Sequence, residues 1–560
     1  MTTEETNVDL KDAEAKDAEP KEEAQDCAPV AADADATEAD LSEADLDQEE
    51  QEKLPMTGGV GGGERVEEVP SAGGGEPGAA VEKNGSVKLK IPEEEPGEVK
   101  FTGLNKEELM RVAGTPGWVR TRWALLVVFW LGWLGMLGGA VLIILQAPRC
   151  RDLPAINWWN EGPLYQVGDI QAFSDTRNLK GVEQRIGSLS KLKVRGLVVG
   201  PIHVAPADNA MSLRFEEVSS EAGSLEQFKS LVEAAHKKGI SVVLDLTPNY
   251  QGTSGPWFSN TSVTSVAERL KSALVFWMKE GVDGVQLSGV ERVASVVPTL
   301  WADIRAIIQN RTDESPNKRV LIGVTERSSA EDVSALLSST GVNLLISRIL
   351  RPAAAAATEH TQSVQLLYSS HSQSQLAWSL GGPAGGHLAS LVGPALVRLY
   401  QLLVFTLPGT PVFNYGDEIG LVDEDTKFPR MLWDSEEELN GTLQEERSER
   451  LSLQKFFRGL SELRVKERSL MFGDFLLLSN SSSSLAYLRV WDQSERYIAA
   501  FNFAEAESAV LQLSDAALPP WATVVVSTNS SALPGDSSVD LGELRLGPGQ
   551  AALLRFPYTG

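Results

Sequence analysis

WALLVVFWLGWLGMLGGAVLIIL, residues 123–145, decides how the rest of the chain has to be read, because these 23 residues carry no charge. As a helix rising about 1.5 Å per residue, the stretch crosses the roughly 30 Å hydrocarbon core of a bilayer with modest tilt. A buried helix of a soluble protein seldom needs so long an uncharged run. Arg120 and Arg122 stand directly before it, with Lys106 and Arg111 a little further back, whereas Arg149, Arg151 and Asp152 follow. The excess of positive charge on the N-terminal flank predicts a cytoplasmic N terminus. The long segment in front separates the stretch from a cleaved signal peptide. The expectation is a single-pass type II membrane protein, with its large C-terminal part outside.

The charge is distributed just as unevenly. Acidic residues outnumber basic ones by 77 to 50, and the first hundred positions alone account for net −20 of the formal −27. Residues 1–100 contain no aromatic side chain, so this tail buries too little apolar area to offset the entropy of ordering and is expected to be disordered. Such acidity argues against a nucleic-acid partner, since no basic surface is available to displace counterions. Two cysteines, Cys27 and Cys150, and five scattered histidines suggest neither a structural zinc site nor any other metal or cofactor. The cysteines lie on opposite sides of the proposed membrane, so they cannot pair with each other. Cys150, in the neck at 146–157, is therefore either free or joined to another chain.

Between Trp158 and Tyr415 short apolar runs alternate with amphipathic helical segments. Strand candidates are 194–199, 241–246, 282–287, 320–324, 344–346, 375–380 and 411–415, and the first intervening helix carries Leu225, Phe228, Leu231, Val232 and Ala235 at helical spacing. Repeated strand–helix units over this length suggest an α/β fold, a single (β/α)8 TIM barrel spanning 158–465, after a juxtamembrane segment at 101–122. The stretch 352–376 stays ambiguous. From 466 to 560, LAYLRVW, YIAAFNF, WATVVVS and AALLRFP, separated by Ser, Asn and Gly turns, predict a small antiparallel β-sandwich. Five sequons at Asn260, Asn310, Asn440, Asn480 and Asn529 fall on the outer side and are candidate N-glycosylation sites. Within the span, Gly132, Gly135, Gly138 and Gly139 offer a helix surface of small side chains, and Gly135 with Gly139 forms a Gly-x-x-x-Gly pair that permits close packing on another helix. Trp123 stands where an interfacial anchor to lipid is expected.

LKGVEQRIGSLSKLKVRGLVVGPI (179–202), DLTPNY (245–250), GVDGVQLSGV (281–290), FTLPGTPVFNYGDEIG (405–420) and MLWD (431–434) resemble the conserved blocks of the alpha-amylase family of glycoside hydrolases. That resemblance implies a retaining site with two carboxylates about 5 Å apart. Ser288 stands where the family has its nucleophilic aspartate, and Gln286 where it has the supporting arginine. Thr325 is the best match to the general acid, with Glu326 adjacent. Tyr250 replaces the third-strand histidine, and WSLGGPAGGHL (378–388) offers no counterpart to the Asn-His-Asp block. Asp245, Asp417 and Glu418 persist, and all three read as scaffold. NYQGTSGPWF leads almost directly to a helix expected near Val263, so the wall that deepens the cleft in hydrolases is missing. No catalytic residue and no enzymatic activity are expected.

A membrane anchor, an acidic tail, a neck cysteine and a disabled amylase-like ectodomain together resemble the heavy chains of heteromeric amino-acid transporters. Within that family the chain is more similar to the widely expressed branch than to the branch of kidney and intestine, which retains more of the enzyme-like insertion. The resemblance implies a noncatalytic subunit, disulfide-linked through Cys150 to a multispanning light chain that it stabilises and brings to the plasma membrane. It also implies association with integrin β subunits, so an adhesion or signalling co-receptor stands as an alternative, with a membrane-bound alpha-glucosidase as a remote one.

Overall fold

The computed structural model describes residues 103–146, 151–205, 209–249, 257–258, 260–310, 318–351, 357–383, 385–433, 441–515 and 518–558. Two units are distinct. In the first, a short helix at Lys106–Ala113 is capped by the Asn105 side chain, which accepts from the Lys106 amide, and carries Glu107 and Glu108 in its first turn.

The second unit begins with the helix Pro116–Gln146, longer than the uncharged run because Pro116 supplies the fixed φ that suits a first helical position. None of its residues is buried. It is, among the described residues, the one helix long and apolar enough to cross a membrane.

Beyond the neck, eight parallel strands close a barrel: β1 (Leu164–Val167), β2 (Gly196–Val199), β3 (Ser241–Asp245), β4 (Gly284–Ser288), β5 (Val320–Val324), β6 (Leu344–Ser347), β7 (Leu376–Trp378) and β8 (Thr410–Asn414). Each strand pairs with its neighbours in sequence, and β8 returns to β1. Side chains alternate, as a strand period of two requires. Leu164, Val198, Val243, Ile322, Leu344 and Val412 fill the barrel interior, while Tyr165, Leu197, Val242, Val285, Leu321 and Phe413 pack outward under the helices. The ring of helices is set by local signals, such as the Ser224–Gln227 capping box that starts Leu225–Lys237. The helix after β3 begins at Asn260, a few residues before the expected start. The ambiguous stretch contains a helix at Ala357–Ser370.

The C-terminal part forms a six-stranded antiparallel sheet and a two-stranded one. The larger sheet has the order β9 (Asp474–Asn480), β10 (Ser484–Val490), β11 (Arg496–Asn502), β16 (Ala551–Phe556), β13 (Trp521–Ser527) and β14 (Ser538–Asp540); β12 (Ala509–Leu511) pairs with β15 (Leu544–Leu546). Tyr497, Ala499 and Phe501 join the core of the barrel's outer layer, and the intervening Ile498 and Ala500 join a second core under the small sheet. One sheet therefore serves two cores. Two buried arginines lock this seam. Arg464, on the helix Thr442–Lys466, donates to the carbonyls of Phe405, Leu407 and Gly409. Arg489, on β10, donates to Thr406 and Gly473 carbonyls at 2.6 and 2.9 Å. Burial holds both guanidinium groups below the usual arginine range, Arg489 at about 10. Four of these five acceptors, Phe405, Thr406, Leu407 and Gly409, lie where the helix Val397–Thr406 ends and runs into β8, a stretch whose carbonyls lack intrahelical partners; the fifth, Gly473, directly precedes β9.

Candidate functional site: the mouth of the barrel

Barrel enzymes place their chemistry at the C-terminal ends of the strands. In this chain those ends are tied to one another. The Gln166 side-chain amide donates to Gln286 Oε1 at 2.8 Å, and Gln286 Nε2 in turn donates to Asp245 Oδ2 at 2.7 Å. The other Asp245 oxygen accepts the Thr247 amide, and Thr247 Oγ1 accepts the Ser288 amide, both at 2.9 Å. Gln166, Asp245 and Gln286 are each 3% exposed or less. Ser288 ends β4, as a nucleophile's position requires, but it is an alcohol with no histidine among these partners to activate it.

Thr325 directly follows β5, is 2% exposed, and has its hydroxyl 3.4 Å from Glu291. Glu326 points toward solvent, with its side chain 65% exposed, and is gripped by both ends of a fork from Arg348 at 3.0 and 3.1 Å. Arg348 also donates to the Gly381 carbonyl at 3.0 Å. Pro383 closes the opposite side so tightly that a Cβ on Gly168 would meet it at 2.8 Å. The space left between Gln166, Gln286, Ser288, Glu326, Arg348 and Pro383 is about 20 Å³. That holds about one water, against the roughly 300–1,000 Å³ of a small-molecule site. Glu326 is the one carboxylate among the described residues lining it. Tyr250 lies outside the described residues.

The retained carboxylates of the eighth-strand block are interior. Asp417 accepts the amides of Asn414 and Leu388, both at 2.8 Å, and Glu418 accepts the Tyr165 hydroxyl at 2.9 Å. Burial pushes Asp417 up to about 6 and Glu418 up to about 7. They hold the chain as it leaves β8. His387, where the Asn-His-Asp block would fall, is fully buried, with Nδ1 2.6 Å from Asp423. Arg348, Pro383 and Asp423 carry this arrangement and were not singled out by sequence reasoning; each acts on a partner too distant in sequence for any local pattern to reveal. Among the described residues no group of His, Cys, Asp and Glu gathers as metal ligands.

Away from the barrel, a Cβ added to Gly132, Gly135, Gly138 or Gly139 would meet nothing within 4 Å, so that surface is open to lipid or to another chain. Cys150 and Asn440 lie outside the described residues. Just after Cys150, Arg151 is tied to the larger sheet: its amide donates to Asp492 at 3.1 Å and its guanidinium lies 4.8 Å from the Trp491 ring centroid. Asn260 starts a helix, Asn310 and Asn529 are exposed, and Asn480 ends β9 half-buried.

A closed amylase-type barrel with a filled mouth, carried on one membrane-spanning helix, defines a class: membrane-anchored, noncatalytic relatives of glycoside hydrolases. Comparison with known proteins agrees. Residues 88–165 match the family described as Solute carrier family 3 member 2 N-terminus, and residues 169–265 match the alpha amylase catalytic domain. The Amino acid transporter heavy chain SLC3A2 of Oryctolagus cuniculus is 44% identical over 530 residues, covering 91% of this chain and 97% of the relative. That of Mus musculus is 44% identical over 504 residues, covering 86% and 94%. Among solved structures, the trehalulose synthase MutB from Pseudomonas mesoacidophila superposes with a TM-score of 0.58 at 16% identity, covering 72% of this chain and all of that one; this likeness shows the fold. The chain belongs to the SLC3A2 family of amino acid transporter heavy chains. It is a single-pass membrane protein, N terminus inside and ectodomain outside, and it is not an enzyme.

Proposed function

We propose that this chain is the heavy subunit of a heteromeric amino-acid transporter, linked through Cys150 to a multispanning light chain that it stabilises and delivers to the plasma membrane. The observation that carries the reading is its extended identity to transporter heavy chains along nearly its whole length. Physical arguments support the division of labour. One helix cannot enclose a substrate pathway, which transporters build between several helices. The space of about 20 Å³ left among the described residues between Gln286, Ser288 and Arg348 at the barrel mouth has no room for a sugar. A helix with no buried residue leaves its whole surface for lipid and partner, and the stripe around Gly135 and Gly139 suits close approach of a second helix. The deciding experiment is purification of the full chain from cells in mild detergent with thiols blocked. A multispanning transporter that copurifies, and runs with the chain as one band only without reductant, is the expected result; a chain recovered alone would refute the reading.

A further inference from the structure

A groove larger than the space at the barrel mouth lies elsewhere on the ectodomain. It runs along the seam between the helix Thr442–Lys466 and the turn after β13, with a volume of about 680 Å³. Arg398, Ser452 and Phe456 line its barrel side, and Ser527, Asn529 and Gln550 its sheet side. Gly459 also lines it, and a Cβ there would meet nothing within 4 Å, so the groove is open at that point. Phe456 is only partly buried and lines the groove.

Asn529 is oriented unlike a random surface asparagine. Its Oδ1 accepts the amides of Ser531 and Ala532 at 3.2 and 3.3 Å, and its own amide donates to Ser527 Oγ at 3.2 Å. The carboxamide is thus oriented, and Nδ2, the atom that carries sugar in an N-linked glycan, makes no hydrogen bond among the described residues. By contrast, Asn480 has its Oδ1 buried without a partner.

We propose that Asn529 carries an N-linked oligosaccharide whose first sugars lie in this groove, packing a sugar face on Phe456 and bonding to Ser452, so that the glycan bridges barrel and sheet. The proposal rests on the outward topology of the ectodomain. In the attachment step Nδ2 displaces a lipid pyrophosphate from C1 of N-acetylglucosamine. The C1–O bond breaks, the Nδ2–C1 bond forms, the amide proton passes to a base of the transferase, and the lipid pyrophosphate leaves with the bonding electrons. No oxidant or metal is consumed. A cradle of this size suits two or three sugars, being within the range of about 300–1,000 Å³ typical of small-ligand sites.

The test uses the full chain made in mammalian cells, with site occupancy read by glycopeptide mass spectrometry and backbone hydrogen exchange measured before and after enzymatic trimming. Occupied Asn529, with faster exchange in 452–459 after the glycan is removed and the same change in Ser531→Ala, is expected. Trimming to the single first sugar should release only part of that protection. Asn529 unmodified while Asn310 is modified would overturn the inference and leave the topology intact; absence of sugar at every sequon would overturn the topology itself. Occupied Asn529 with unchanged exchange in 452–459 would sink the cradle alone.

Discussion

Gln286 reaches across from β4 to Asp245 at the end of β3, 2.7 Å away. In the hydrolases this chain resembles, the Gln286 position holds an arginine beside a catalytic carboxylate; here an uncharged amide joins Gln166, Gln286 and Asp245 into one buried network. The site has been converted from a charge array into a hydrogen-bonded plug. Ser288→Asp is therefore expected to give no turnover of maltose or an aryl glucoside, because the added carboxylate gains neither the second carboxylate at the required spacing nor room for substrate. Detectable hydrolysis above an unfolded control would contradict this. Gln286→Leu should lower stability by about 1–3 kcal/mol, the cost of taking a donor from a buried carboxylate, read as a shift of the urea midpoint.

The membrane helix buries none of its residues, so removing it costs the ectodomain no core. A secreted chain beginning at Arg151 is expected to be monomeric and to unfold in one cooperative transition, since one continuous core joins the barrel's outer layer to the sheet. Persistent aggregation, or two separate transitions for barrel and sheet, would count against it.

Arg464 and Arg489 hold carbonyls across the seam without a carboxylate partner among their hydrogen bonds. Arg489→Met leaves the Thr406 and Gly473 carbonyls without these donors, at about 1–3 kcal/mol for each buried group. A loss of roughly 3 kcal/mol is expected, against almost none for Met in place of the exposed Arg468. Equal effects of the two substitutions in denaturant unfolding would show that the seam does not depend on Arg489.

His203 is 3% exposed, its ring lies 5.1 Å from that of Phe215, and neither ring nitrogen has a partner. Burial pulls it down to about 4. A group depressed on folding favours the fold above its unfolded value of about 6.5, and that contribution is lost as pH falls toward 4. Asp417 and Glu418 act in the opposite direction, being raised, so the comparison must be between proteins at each pH. His203→Phe should gain stability relative to the parent between pH 7 and 5, measured as the difference in Tm. A difference that does not change with pH would refute the assignment.

If the proposed pairing holds, Cys150→Ser is expected to abolish the covalent band with the light chain while leaving substantial surface delivery and transport, because the proposed helix packing and ectodomain contacts do not depend on the thiol. Cys27→Ser should leave the band intact, as cytoplasmic thiols stay reduced. A band that persists in Cys150→Ser would place the linkage elsewhere.

The sequence by itself determined the features whose physics is local. The charge-free run 123–145 reads as a membrane span from its own length and composition, the apolar runs at 241–246 and 320–324 are strands because successive residues alternate between two buried faces, and Ser288 is not a carboxylate in any fold. Strand β1, four residues reading LYQV, carries too short a pattern to be seen, and β9 ends in the Ser- and Asn-rich stretch that reads as a turn. What only the tertiary structure decided is where the polar side chains find their partners. Gln286 meets an aspartate 41 positions away, Glu326 is held by an arginine 22 positions on, Arg464 caps the Gly409 carbonyl 55 residues back and Arg489 the Thr406 carbonyl 83 residues back. Closing the barrel brings these groups together, and a buried polar group is stable only when its partner has been delivered to it, so neither its burial nor its role is written in its own neighbourhood of the chain.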